Sequence, residues 1–156
     1  MNGAESGNTP AWDGNELIDE IVIHGDPNQL VAVRHFLTRM ARISRVPENV
    51  IDDIVIAVDE ACSNILDHNY PHQSRLNMKL HIRAIITNTT FTIILTDQGH
   101  YFDPTKHKQP DPSHHLKNMK SRGMGIFIIS RLMDEMHHEY LEGIGNVLTL
   151  IKKYER

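Results

Sequence analysis

The stretch from Leu76 to Asp97 constrains this chain more tightly than any other. Leu76, Met78, Leu80, Ile82, Ala84 and Ile86 are apolar, and Asn77, Lys79, His81 and Arg83 stand between them. A period of two over this length is the pattern of a strand with one buried face. Asn88-Thr89-Thr90 turns the chain, and Phe91, Ile93 and Leu95 then alternate with Thr92, Ile94 and Thr96 in a second strand. Such a hairpin needs a second layer to cover its apolar side. By the same period Asp97 falls on the buried face, where a carboxylate needs a donor. Two readings stay open. Asp97 caps a neighbouring backbone, or it accepts from an exocyclic amine on a planar ligand, with Gly99 leaving room for close approach.

The covering layer is visible on either side. Ile18–His24 has strand character and ends at Gly25-Asp26-Pro27. Asn28 is placed to cap a helix running to about Ile43, with Leu30, Val33, Phe36, Leu37 and Met40 on one face. Pro47 opens a second helix, whose stripe is Ile51, Ile54, Val55, Val58, Cys62, Ile65 and Leu66, and Pro71 closes it. Residues 98 to about 122 carry no apolar period, and a loop of that length in a compact domain is usually functional or disordered. MGIFIISRLMDEM (124–136) predicts a mostly buried helix. His138–Glu142 and Val147–Tyr154 predict strands around a turn at Gly143-Ile144-Gly145-Asn146. The order β, α, α, β, β, loop, α, β, β implies an α+β fold, a two-layer α/β sandwich. Its sheet is mostly antiparallel and its helices lie on one face. Residues 1–15, rich in Gly, Asn and Ser, are expected to be a flexible N-terminal arm, and residues 16–156 the folded domain.

Bulk properties exclude several classes. At 156 residues, 40% of them apolar, one domain with a real core is expected. A net charge of −4 supplies no general attraction to nucleic acid or to an anionic membrane. No run approaches the roughly 18 apolar residues of a membrane span, and the N-terminus lacks the basic-then-apolar signal pattern. Cys62 is the single cysteine, so no intrachain disulfide forms, and a soluble cytoplasmic protein is expected. Cys62 lies on the core stripe, where it reads as inert packing. The pairs His114-His115 and His137-His138 have no cysteine partners, and adjacent residues point apart, so a zinc site is not favoured.

The second helix carries an unusual polar side. At about 100° per residue, Glu60 and Asn64 fall about 40° apart, opposite the apolar stripe, with Asp53 and Asp67 nearby. A solvated face is one explanation. Against it, Asn gains little in a helix interior, and the face lacks the Lys and Arg partners at i,i+4 that steady an acidic helix. The other explanation is a site in which a carboxylate serves as general base and an amide oxygen as a hard ligand for Mg2+. Further on, Lys106, Lys108, Lys117, Lys120 and Arg122 face only Asp111. The run ends in Ser121-Arg122-Gly123-Met124-Gly125 just before a helix, and backbone amides at a helix start beside basic side chains bind anions, phosphate above all. It is neither a P-loop nor a dinucleotide fingerprint.

Taken in order, DEACSNILDHNY (59–70), TDQGHYFDP (96–104) and SRGMGIFIISRLMDE (121–135) resemble the GHKL, or Bergerat-fold, ATPases, and most of all the anti-sigma-factor serine/threonine kinases. The likeness runs from about residue 18 to residue 153. Its strongest element is the Glu-x-x-x-Asn-x-x-x-His spacing of Glu60, Asn64 and His68. Tyr101 and Ser121 depart from the family pattern, which usually has a small residue at the first and Gly at the second. The resemblance implies ATP and Mg2+ as cofactors. It makes Glu60 the general base on a protein serine or threonine hydroxyl, and Asn64 the Mg2+ ligand. Asp97 would be the acceptor for the adenine amino group and Gly99 the spacer beside the base. Residues 104–122 would form a lid over ATP. Gly123, Met124 and Gly125 would offer backbone to the phosphates, and Arg122 would neutralise charge. His68 reads as a structural filler. The implied activity is phosphorylation of an anti-sigma-factor antagonist of the STAS type, together with sequestration of a sigma factor by a homodimer. The alternative is a nucleotide-gated binding module without kinase activity.

Overall fold

The computed structural model describes residues 14–68, 77–106 and 124–156. The elements run β1 (Leu17–His24), α1 (Leu30–Ile43), α2 (Glu48–His68), β2 (Lys79–Ile86), β3 (Thr90–Asp97), α3 (Met124–Leu132), β4 (Glu135–Leu141) and β5 (Gly145–Lys153). The five strands form one sheet in the order β1-β2-β3-β5-β4. Every pairing is antiparallel. The expected α+β sandwich is therefore present.

The hairpin of β2 and β3 is the spine of the core. Leu80, Ile82, Ala84, Ile86, Phe91, Ile93 and Leu95 are all 0% exposed, while Lys79, His81 and Arg83 face outward. Burying one such Leu, Ile or Phe side chain contributes roughly 1.5–3 kcal/mol. Against this face lie the buried stripes of α1 (Leu30, Val33, Phe36, Leu37, Met40) and α2 (Ile51, Ile54, Val58, Cys62, Ile65, Leu66). The hairpin closes tightly, with the Thr87 amide donating to the Thr90 carbonyl at 2.9 Å.

Four local expectations need correction, the first being the strand expected over His138–Glu142, which runs as β4 over Glu135–Leu141. The cap before α1 is Asp26, not Asn28: the Asp26 carboxylate accepts from the Asn28 amide at 2.9 Å and starts a single 3-10 turn, Pro27–Gln29, ahead of α1. The helix expected over 124–136 stops at Leu132. There the Asp134 amide donates to the Ile151 carbonyl at 2.9 Å, and the Asp134 carboxylate accepts from the Lys153 amide. The chain leaves the helix because β5 offers it a strand to pair with. Met133 remains buried beneath the turn, which is why the apolar period continued past the real end. β5 also starts two residues earlier than expected, at Gly145.

Lys152 ties the helical layer together. Its Nζ donates to the Leu132 carbonyl at 2.6 Å, at the end of α3, and pairs with Asp53 of α2 at 3.0 Å. This cation at a helix C-terminus complements the unpaired carbonyls there.

Candidate active site

The polar face of α2 divides in two. Asp53 pairs with Lys152, and Asp59 with Arg34 at 2.8 Å, so these acids have basic partners drawn from β5 and α1. These partners do not stand at i,i+4 because both come from other elements. Asn64 is different: its Nδ2 is buried and has no hydrogen-bond partner among the described residues. A buried amide without a partner is costly, so this group awaits one.

The start of α3 lies directly against this face. A Cβ placed on Gly125 would sit 3.0 Å from Glu60 Oε2, 3.0 Å from Asn64 Nδ2 and 3.1 Å from Asn64 Oδ1. Only glycine lets the backbone come this close. The unpaired amides of the first turn of α3 thus open beside a carboxylate and an amide oxygen. Met124 is exposed at the helix start.

Behind Asn64 lies a narrow cleft with a cavity volume of about 20 Å³. Its walls are mainly apolar: Ala61 and Ile65 from α2, Ile129 from α3, Leu148 from β5, and Phe102. Asp97 is the carboxylate in this lining and is 2% exposed, as the alternation of β3 requires. Its Oδ1 accepts from the Gly99 amide at 2.8 Å and from Asn146 Nδ2 at 3.3 Å. Its apolar lining with one carboxylate matches in chemistry the edge of a planar ring carrying an N–H donor.

Gly145 brings β5 up to Asp97. It has φ +114°, and a Cβ there would lie 2.1 Å from the Asp97 carbonyl oxygen. This approach aligns Asp97 with Asn146 across the strands, both side chains buried on the same face.

Three residues of the site went unrecognised in the sequence: Phe102, His138 and Asn146. Phe102 stacks on His68 with ring centroids 5.5 Å apart, which ties the end of α2 to the segment after β3. His138 reaches Asn146 Oδ1 at 3.1 Å, and its Nδ1 lies 3.7 Å from Asp103. Burial opposes the charge on Asp103, but the Thr105 hydroxyl and amide, with His138 and Lys106, hold its carboxyl below the usual carboxylate range. A signal for Asn146 existed: it continues the buried period of Leu148 and Leu150. Glycines on both sides hid it inside a presumed turn.

Tyr101 is exposed and packs edge-on against His138 and Tyr140, at 5.7 and 5.9 Å between centroids. His137 turns away from His138 to pair with Glu135. Among the described residues no group of three or more His, Cys, Asp or Glu is arranged to hold a metal. Burial pushes the Cys62 thiol well above its ordinary range, consistent with inert packing. Arg122, Gly123, the His114-His115 pair and the lid beyond Lys106 lie outside the described residues. Among the described residues no helix is long and apolar enough to cross a membrane.

Residues 23–152 match the family of the histidine kinase-like ATPase domain. The chain belongs to this family. Among its relatives, the serine-protein kinase RsbW of Halalkalibacterium halodurans is 36% identical over 110 residues, covering 68% of this chain and 64% of that one. The serine-protein kinase RsbW of Bacillus pumilus is 30% identical over 150 residues, 91% of each chain. The crystal structure of the RsbU and RsbW domains of a Mycobacterium tuberculosis protein superposes with a TM-score of 0.63. It covers 90% of this chain and 33% of that longer one, and at 18% identity it attests the fold. Membership of an ATPase family makes ATP the nucleotide of this domain. The residues present fit it: an unpartnered Asn64 amide, a glycine cradle against Glu60, and an apolar slot lined by Asp97.

Proposed function

We propose that this chain is an ATP-dependent serine/threonine protein kinase that acts as an anti-sigma factor. It phosphorylates a small STAS-type anti-sigma-factor antagonist and sequesters a sigma factor when not so engaged. It works with Mg2+, in the cytoplasm, as a homodimer. The observation that carries the proposal is the meeting of Glu60, Asn64 and Gly125 at one point, with Asn64 also lining the Asp97 cleft. Its relatives' name, serine-protein kinase, supports the same activity.

ATP supplies the transferable phosphoryl group. Asp97 accepts from the adenine amino group, with Gly99 leaving room beside the base. Asn64 Oδ1 would hold Mg2+, an ion that keeps several waters and asks few ligands of a protein. The amides of Gly123, Met124 and Gly125 would bind the phosphates, and Arg122 would offset their charge. Glu60 takes the proton of the substrate hydroxyl. Positioning and charge stabilisation supply most of the catalysis in such transfers.

Glu60→Gln tests the assignment, because it keeps the shape and removes the base. The variant is expected to bind ATP within about twofold of wild type and to transfer no labelled phosphate to the antagonist. Transfer at the wild-type rate would remove Glu60 from the mechanism. If the wild-type chain binds ATP yet labels no partner, it is the nucleotide-gated module instead.

A further inference from the structure

Asn146 holds a junction that none of the nucleotide-binding motifs accounts for. Its side chain is 2% exposed and is engaged at both ends of the amide. Nδ2 donates to the His100 carbonyl at 2.9 Å and also lies within reach of the Gly99 carbonyl at 3.4 Å and Asp97 Oδ1 at 3.3 Å. Oδ1 accepts from the Phe102 amide at 3.2 Å and from His138 Nε2 at 3.1 Å. The Phe102 N–H can only donate, so the orientation of the amide is determined: the reversed amide would set two donors against each other. Because Oδ1 only accepts, His138 Nε2 must be the donor in this bond, with its side chain 2% exposed and Nδ1 toward Asp103.

The segment served by this amide is the one that needs help. Residues 98–103 follow the end of β3 and have no strand partner, yet Asp97 and Phe102 at its two ends line the cleft. Three of its backbone groups, the Gly99 and His100 carbonyls and the Phe102 amide, meet one side chain from β5. A loop already ordered before the ligand arrives spares the binding step the cost of ordering it.

We propose that Asn146 is a positioning residue for nucleotide binding. It holds the segment from Asp97 to Asp103 in the shape that presents Asp97 and Phe102 to the ring, and His138 fixes Asn146. The inference rests on the assignment of the cleft to ATP.

The test uses the full chain and compares wild type with Asn146→Ala, Asn146→Ser and His138→Leu. It reads amide hydrogen exchange without nucleotide, the Kd for ATP by calorimetry, and KM and kcat for phosphorylation. Asn146→Ala is expected to lose protection at the Phe102 amide and to bind ATP about tenfold more weakly. KM should rise in parallel and kcat should stay within about twofold, a split that a general loss of structure would not give. Asn146→Ser should recover part of the affinity, since a hydroxyl both donates and accepts. His138→Leu should shift the same quantities by about threefold, and it carries the test if Asn146→Ala melts below the assay temperature. Unchanged ATP affinity and unchanged exchange in Asn146→Ala, or a fall in kcat at constant KM, would overturn the positioning role alone. A wild-type chain that binds no ATP would overturn the assignment of the cleft, and this inference with it.

Discussion

Gly125→Ala separates the site from the fold. The added methyl would sit 3.0 Å from Glu60 Oε2 and Asn64 Nδ2 and 3.1 Å from Asn64 Oδ1. Ordinary carbon contacts lie near 3.5 Å or beyond, so something must give by a few tenths of an ångström. Two outcomes compete. Alanine in a helix is favoured over glycine by up to about 1 kcal/mol, which offsets the steric cost of the shift. The shift itself falls on the side chains assigned to the chemistry. Misplacement by about 1 Å can cost about a hundredfold in rate, so a few tenths should cost roughly tenfold. The variant is therefore expected to unfold within about 1 kcal/mol of wild type in urea while its phosphoryl transfer falls about tenfold or more. Single-turnover transfer of labelled phosphate measures the second quantity. A variant that is equally stable and fully active would show that the start of α3 is not part of the site.

Other substitutions probe the neighbouring parts. Asp97→Asn keeps an acceptor for the Gly99 amide but adds a donor facing the ring, and calorimetry should show ATP binding weakened by about tenfold or more. Gly145→Ala meets the Asp97 carbonyl at 2.1 Å and strains a residue at φ +114°, so a loss of at least about 2 kcal/mol of stability in urea is expected. Because the folded-state carboxyl of Asp103 titrates below its ordinary value, its contribution to stability is present above the unfolded pKa and is lost as pH falls through the folded one. Asp103→Asn should accordingly flatten the stability-against-pH curve below about pH 4 in thermal unfolding series, and a curve as steep as wild type would refute that contribution.

What the sequence disclosed depended on the range of the interaction. The period of two through Leu80, Ile86, Phe91 and Leu95 specified the hairpin, and carried one step further it put Asp97 inside. The stripe of α2 was equally legible, because burial on a helix repeats every three or four residues. The partners of Asp53 and Asp59 were not, since Lys152 and Arg34 reach them across the fold. The end of α3 was misplaced because Met133 is apolar for a reason unrelated to helix: it fills the core beneath a turn toward β5. Asn146 was missed because Gly143 and Gly145 look like turn residues, whereas Gly145 is a glycine that admits the Asp97 carbonyl. The meeting of Glu60 and Asn64 with Gly125 joins residues some sixty positions apart; the family resemblance implied it, and the packing of α3 on α2 gives its geometry.

The most direct test of the central claim is where ATP touches the protein. Titrating the isotope-labelled chain with Mg-ATP and following amide and side-chain resonances locates the contact without any assumption about turnover. Changes are expected at the Asn64 side-chain amide, Gly99, Phe102, Gly125 and Asn146, while Lys79, His81 and Arg83 on the opposite face of the sheet stay still. Changes confined to that opposite face, or none at saturating nucleotide, would contradict an ATP site built on Glu60, Asn64 and Asp97.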